Sequence, residues 1–340
     1  MLRVGVIGIA SFYGPRFAQR AAERPDVTVA GAVAGEASDE ELSALSRPTR
    51  AEFAEEHDCE VYEDIDALLG EVDAVVVASL LSDRADVAVQ VLEAGLPVLT
   101  AKPAAASPEG AQRIANAASE AGVPALATNP MRFDDAVRGA AQQIADGEIG
   151  DVVRTEVHVQ HDPVGADGIE ANPESAPDQP GTPYSMGIYA ADTLLWLVDA
   201  APDRLYAEYE NNNTPHLDHP DTGTATVRYA DGTLGSMTMT LSTSIREWHQ
   251  WEVEVVGTEG IITTQRTGYG GYQWSEPGEG PRGFGRTLSP VLDRQFDAFV
   301  DAATDGESVA PEPATVADGL AVCEGWRQSA DTGESVDLDD

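Results

Sequence analysis

Residues 91–107 read VLEAGLPVLTAKPAAAS and hold one repeat of an α/β chain. In the stretch DRADVAVQVLEAG, 83–95, Val87, Val91 and Leu92 fall on one helical stripe and Gly95 supplies a C-terminal stop. PVLT, 97–100, is a short apolar run of the kind that a strand buried on both faces requires. Ser107 then offers an N-cap and Pro108 a first helical residue, so AKPAAA is the loop that leaves the strand. Helix, strand, loop and helix in this order predict a parallel sheet, whose ligand crevice lies at the loops after the strand C-termini. Lys102 is expected at that crevice.

Working outward, the runs LRVGVIG, VTVAGAV, AVVVAS and PALAT repeat the pattern across the first third of the chain. The predicted fold class is α/β: a doubly wound parallel sheet over residues 1–128, followed by an α+β domain over 129–340 with a large, mainly antiparallel open sheet. In the second domain, DVVRTEVHVQH is a strand, and residues 162–183 form a Gly/Pro/Asp-rich loop. The runs GTATVRYADGTLGSMTMTLS and QWEVEVVGTEGIITTQ fold into strands joined by ADG and TEG turns. Helices from Val291 to about Ala303 and from Thr315 to Ala330 are expected to cover that sheet.

The chain carries 59 Asp and Glu against 20 Lys and Arg, a formal charge of −39. Such a surface excludes nucleic acid and anionic membranes as partners. Two readings of the charge compete, a very salty cytoplasm and a polycationic partner. The acid is spread evenly rather than gathered in a tail, which favours salt and an extreme halophile. Two distant cysteines, Cys59 and Cys323, suggest neither a disulfide framework nor a zinc ribbon, and fit a reducing cytoplasm. No apolar run approaches the ~18 residues of a membrane span, and the N-terminus enters a strand without a leader pattern. Lys102 is the only lysine of the chain.

After the first strand, GIASFYGPRF forms a glycine turn into a helix, where backbone amides can hold a pyrophosphate. Gly8 supplies the tight turn, with Ile9, Ala10, Ser11 and Phe12 following. Ala10 stands where a second glycine is usual, and Gly14 comes one residue late. At the end of the second strand, Glu36 is placed to accept a ribose 2′-hydroxyl, and no arginine adjoins it in sequence, which favours NAD over NADP. The alternative readings, a plain strand-to-helix turn and an exposed loop glutamate, stay open.

In order and spacing, VDAVVVAS, VLEAGLPVLTAKPAAAS and GEIGDVV resemble the glucose-fructose oxidoreductase / inositol dehydrogenase / rhizopine catabolism (Gfo/Idh/MocA) family. The resemblance continues through DTGTATVRYADGTLGSMTMT, VEVVGTEGII and QFDAFVDAATDGES, nearly the whole length. It implies a Rossmann domain binding NAD or NADP and a second domain for substrate binding and oligomerisation. The family's Glu-Lys-Pro motif reads Ala101-Lys102-Pro103, and the resemblance places Lys102 beside the nicotinamide and the substrate hydroxyl. There an ammonium can orient and polarise a hydroxyl and ease ionisation of a neighbouring acid. Ser79 and Leu80, after the third strand of the quoted set, fall among the expected cofactor contacts.

The family's helix motif appears as SMGIYAAD, Ser185 to Asp192, with Tyr189 in place of the usual histidine. It implies catalytic roles for Tyr189 and Asp192 beside Lys102. Residues 185, 189 and 192 have the i, i+4, i+7 spacing of one helix face. In ATNPMRF, Asn129 and Arg132 match positions that commonly face the substrate, and Ser185 joins them. Departures are Ala10, Leu80 for a proline, Arg84 for a histidine, Ala101 for a glutamate and Ser185 for an aspartate.

His158 and His161 alternate to opposite faces of their strand. The loop set His216, Asp218, His219 and Asp221 reads as solvated, so no metal is expected. The function implied is hydride transfer between nicotinamide and a sugar, polyol or cyclic diol, in a homo-dimer or tetramer. Two alternatives remain: a non-catalytic sensor that kept the fold, and a lyase or glycosidase using NAD transiently.

Overall fold

The computed structural model describes residues 1–161, 181–212, 214, 219–241, 249–267, 270–274, 282–283 and 291–338. They form two compact units. The first is Met1–Asn129 together with Leu292–Ala317; the second holds the described residues of 130–291 and 318–338.

The first unit runs β1 (Leu2–Ile7), α1 (Tyr13–Glu23), β2 (Val27–Val33), α2 (Asp39–Ala44), α3 (Arg50–His57), β3 (Glu60–Tyr62), α4 (Ile65–Leu69), β4 (Ala74–Val77), α5 (Leu81–Glu93), β5 (Val98–Thr100), α6 (Pro108–Ala121) and β6 (Ala125–Ala127). Its sheet has the order β3-β2-β1-β4-β5-β6, and each pairing is parallel. This is the expected doubly wound sheet. The strand Glu60–Tyr62 was not anticipated, because a three-residue run among acids carries no apolar pattern. Ser107 caps α6 as read, its hydroxyl accepting from the Gly110 amide at 3.2 Å. The buried stripe of α5 is Leu81, Arg84, Ala85, Ala88, Val91 and Leu92, while Val87 is only half-buried at its edge.

In the second unit, the 3-10 turn Pro130–Phe133 leads to α7 (Asp135–Ala145), β7 (Val152–His161), α8 (Thr182–Ser185), α9 (Gly187–Leu197), β8 (Pro202–Glu210), β9 (Thr222–Tyr229), β10 (Leu234–Thr240), β11 (His249–Gly257), β12 (Ile261–Thr267), β13 (Gly270–Trp274) and β14 (Arg282–Gly283). Two helices, α10 (Val291–Asp305) and α11 (Pro313–Thr332), and the short β15 (Val336–Asp337) close the chain. The second sheet has the order β14-β13-β12-β11-β7-β10-β9-β8-β15, and only β10–β7 is parallel. Strand β9 alternates buried and exposed residues, so one face of the sheet is packed and the other open. On the packed face lies α9, and α11 joins this core through Trp326, whose ring meets Gly187 and Gly223.

One expectation is overturned. Helix α10 does not cover the second sheet but belongs to the first unit, where Phe296 stacks on Phe17 of α1 with ring centroids 5.9 Å apart. Arg16 and Arg20 of α1 and Arg24 at its C-cap pair with Asp293, Asp297 and Asp301 along α10, a ladder at matching four-residue spacing. Part-exposed pairs of this kind give about 0.2–1 kcal/mol each, whereas burying a phenylalanine gives about 1.5–3 kcal/mol. The aromatic contact therefore holds the helix and the ladder sets its register. Beyond α10, the Pro311 carbonyl accepts from the Ala127 amide at 2.9 Å and so covers the open edge of β6.

Candidate active site

In the first unit the expected cofactor residues gather along one sheet edge. The turn 8–12 follows β1, Glu36 follows β2, Ser79 and Leu80 follow β4, Lys102 follows β5 and Asn129 follows β6. All lie at strand C-termini, where every strand points the same way and the helices begin. Gly8 has a φ of +98°, and a Cβ there would lie 2.2 Å from the Ala78 carbonyl oxygen. Gly14 approaches the Gly8 oxygen as closely, 2.2 Å from a notional Cβ, so both glycines are fixed by backbone proximity. Ile9 is buried, Ala10, Ser11 and Phe12 are half-buried, and the extra residue is absorbed before α1 begins at Tyr13. Phe12, at the N-cap, has no side chain able to cap, and the first turn holds no acid. These features fit an anion at the helix N-terminus.

Glu36 is exposed beyond Gly35. A basic group does reach this loop, although none adjoins Glu36 in sequence: the Arg50 guanidinium donates to the Gly35 carbonyl at 3.3 Å and to Asp39 at 3.0 Å.

Lys102 is 6% exposed and the bond to Pro103 is cis. The Ala101 amide donates to the Val77 carbonyl at 2.8 Å, extending the β4–β5 pairing up to the lysine. Arg84, fully buried, donates from Nη1 to the Pro103 carbonyl at 2.6 Å. Its Nε and Nη2 donate to the Ser79 carbonyl at 3.2 and 2.7 Å. In sequence alone Arg84 stands out only as a departure from a family histidine. The available signal was a charge on an otherwise apolar helix stripe. Gln295, also missed, is fully buried and donates to Thr128 Oγ1 at 2.6 Å, next to Asn129.

In the second unit Tyr189 and Asp192 lie on α9, both buried. Ser185 closes the separate α8, because the turn breaks at Met186, whose carbonyl accepts from the Tyr189 amide at 3.2 Å. Asp192 accepts two hydrogen bonds from Arg132, Nε to Oδ2 at 2.7 Å and Nη2 to Oδ1 at 2.9 Å. The guanidinium also stacks 4.9 Å from the ring centre of Trp196, one turn along α9. Arg132 thus reaches Asp192 with all the geometry of a bidentate pair. Burial, and next the nearby Asp192 charge, push the Cys323 thiol far up, so it stays protonated. Burial first pushes the Tyr184 phenol up to about 12.

His158 Nδ1 pairs with Thr238 Oγ1 at 2.7 Å, while the side chain of His161 and residues 216 and 218 lie outside the described residues. Asp221 of the acidic loop is buried and accepts from the Asn212 and Thr214 amides at 3.0 and 2.9 Å, so it ties the loop together. Among the described residues no group of His, Cys, Asp and Glu is arranged to hold a metal ion, and no helix is long and apolar enough to cross a membrane.

Two family models match the chain: an oxidoreductase family model with an NAD-binding Rossmann fold at residues 2–128, and a GFO/IDH/MocA C-terminal domain at 137–263. The chain belongs to the Gfo/Idh/MocA family. Among its relatives, an inositol 2-dehydrogenase of Acidiphilium cryptum is 31% identical over 204 residues, 58% of this chain and 54% of that protein. A 2,7-anhydro-N-acetylneuraminate hydratase of Mediterraneibacter gnavus is 35% identical over 103 residues, 30% of this chain and 28% of that one. The aligned stretches thus span about half of the first relative and less of the second. Among solved structures, GenD2 from gentamicin A biosynthesis in complex with NAD superposes with a TM-score of 0.80 at 24% identity, covering 100% of this chain and 97% of the other. Levoglucosan dehydrogenase in complex with NADH gives 0.82 at 18% identity, covering 99% of both chains. For this Gfo/Idh/MocA chain, the structural likenesses establish the fold across its whole length.

Proposed function

We propose that this protein is a nicotinamide-dependent oxidoreductase that takes a hydride from, or returns it to, a carbinol carbon of a sugar, polyol or cyclic diol. The observation that carries the reading is the single lysine of the chain, buried at the C-terminal edge of the Rossmann sheet in the loop that leaves β5. When bound, the nicotinamide supplies the hydride acceptor; the protein supplies position and charge. The α1 N-terminus and the Gly8–Gly14 turn would hold the pyrophosphate, with Ser79 and Leu80 toward the nicotinamide end and Glu36 toward the ribose. The ammonium of Lys102 orients and polarises the reacting hydroxyl, and Tyr189 takes or gives its proton. Asp192 holds Arg132, and Asn129, Arg132 and Ser185 contact substrate hydroxyls. NAD is favoured because Glu36 is free to accept a 2′-hydroxyl while Arg50 is already paired with Asp39. The setting is a salt-rich cytoplasm, and the open face of the second sheet is the surface on which a dimer or tetramer forms.

Titration with NADH and with NADPH in multimolar salt, followed by nicotinamide fluorescence, tests the cofactor half. Binding of NADH at about micromolar level, with NADPH weaker, is expected. Failure of both to bind removes the enzyme reading and leaves the non-catalytic sensor, to which the Ala101 and Ser185 departures point.

The match to a hydratase favours a second reading, in which the same residues use NAD transiently. It differs in one measurable way: product would form with no net NADH.

A further inference from the structure

We infer that Arg84 is the positioning residue for Lys102, a guanidinium clamp that joins the loop after β4 to the loop after β5. The inference rests on the proposed role of Lys102. The setting is unusual for a charge. Arg84 has no exposed surface and shares its helix stripe with Leu81, Ala85 and Ala88. A guanidinium is buried there only at a large desolvation cost unless its donors are satisfied. They are met by backbone carbonyls, Ser79 through Nε and Nη2 and Pro103 through Nη1.

These two carbonyls belong to neighbouring strands' loops, because β4 and β5 pair in parallel from Val75–Val98 to Val77–Thr100. Lys102 sits between two fixed points. On one side the Ala101 amide is held by Val77, and on the other the Pro103 carbonyl is held by Arg84. Without Arg84 the second point is released, and the Ser79 carbonyl loses two donors at the same time. An arginine suits this task because its planar fork presents parallel and diverging N–H groups at once. A histidine has two opposed nitrogens and a lysine a single point, and neither reproduces three such bonds. Arg84 touches no reacting atom in this scheme; it acts through the lysine backbone.

The single lysine gives the test a readout that does not depend on turnover. Protein grown with lysine labelled at Cε carries one side-chain resonance, that of Lys102. In Arg84→Gln and Arg84→Met, each checked as folded by circular dichroism, that resonance shifts and its titration midpoint moves. Reductive methylation of Lys102 becomes roughly tenfold faster, the scale of one lost charge-assisted hydrogen bond. With NAD and a turned-over polyol, kcat falls about a hundredfold and the pH–rate profile moves, whereas KM changes little. Gln restores part of the methylation resistance that Met lacks. An unchanged resonance, midpoint and methylation rate in the folded variants overturns the clamp. Wild-type protein that turns over nothing sinks the dehydrogenase reading instead, and leaves the resonance to decide the clamp.

Discussion

Arg132 and Asp192, sixty residues apart, form a bidentate ion pair with bonds of 2.7 and 2.9 Å, and both are almost wholly removed from water. A pair so buried contributes little over an apolar substitute of the same shape, but breaking one side leaves a charge without compensation. Asp192→Ala should therefore destabilise the protein by about 3–5 kcal/mol. Asp192→Asn, which keeps one acceptor, should cost less. Urea unfolding of both variants checks the order; equal and small losses would show that Arg132 finds another partner.

Gly8→Ala should damage the protein at the phosphate turn. Its φ of +98° disfavours any side chain, and the new methyl would lie 2.2 Å from a backbone oxygen of Ala78. Strain of this type costs about 1–3 kcal/mol before the clash is counted. A thermal melt should show a lower midpoint, and NADH should bind more weakly than to the wild type. A neutral outcome in both would mean that the turn opens without cost.

Acid should loosen α2 and α3 early. The Ser38 amide first, and its hydroxyl next, hold the Glu41 carboxyl below the ordinary glutamate range, and Thr49 does the same for Glu52. A carboxyl whose folded pKa is lowered adds stability above its unfolded value, near 4.3, and loses it as pH falls through the folded value. Both capping boxes should open in that window. Amide-exchange protection of residues 39–44 and 50–57, corrected for intrinsic rates and followed downward from neutral pH, tests this against a flat profile.

Salt should stabilise the chain. A net charge of −39 on 340 residues repels itself, and screening shortens the reach of that repulsion from about 30 Å at 0.01 M to about 3 Å at 1 M. The unfolding midpoint should climb with potassium chloride well beyond 0.1 M. A midpoint that is flat or falling would assign the acid to a cationic partner.

Much of this was legible in the sequence. Strands β1, β2, β4, β5 and β6 are apolar runs in polar surroundings, and Ser107–Pro108 announces α6 chemically. The antiparallel second sheet follows from alternation and from its turns. The strand β3 is too short and too acidic to show a pattern. The place of α10 was hidden because an amphipathic helix states that it has a buried face but not which sheet it meets. Only the contact of Phe296 with Phe17 decides that. For the same reason Arg84 and Arg132 could be read as residue types but not as partners. Their bonds join segments that are 19 and 60 residues apart.

The most direct test of the central claim is turnover with NAD in high salt, measured over a panel of inositols, aldoses and anhydrosugars by the ultraviolet absorbance of reduced nicotinamide, with wild type and Lys102→Met side by side. The account predicts that at least one polyol is oxidised by the wild type, and that the folded variant is slower by about a hundredfold or more. A Lys102→Met protein that turns over at the wild-type rate would contradict it.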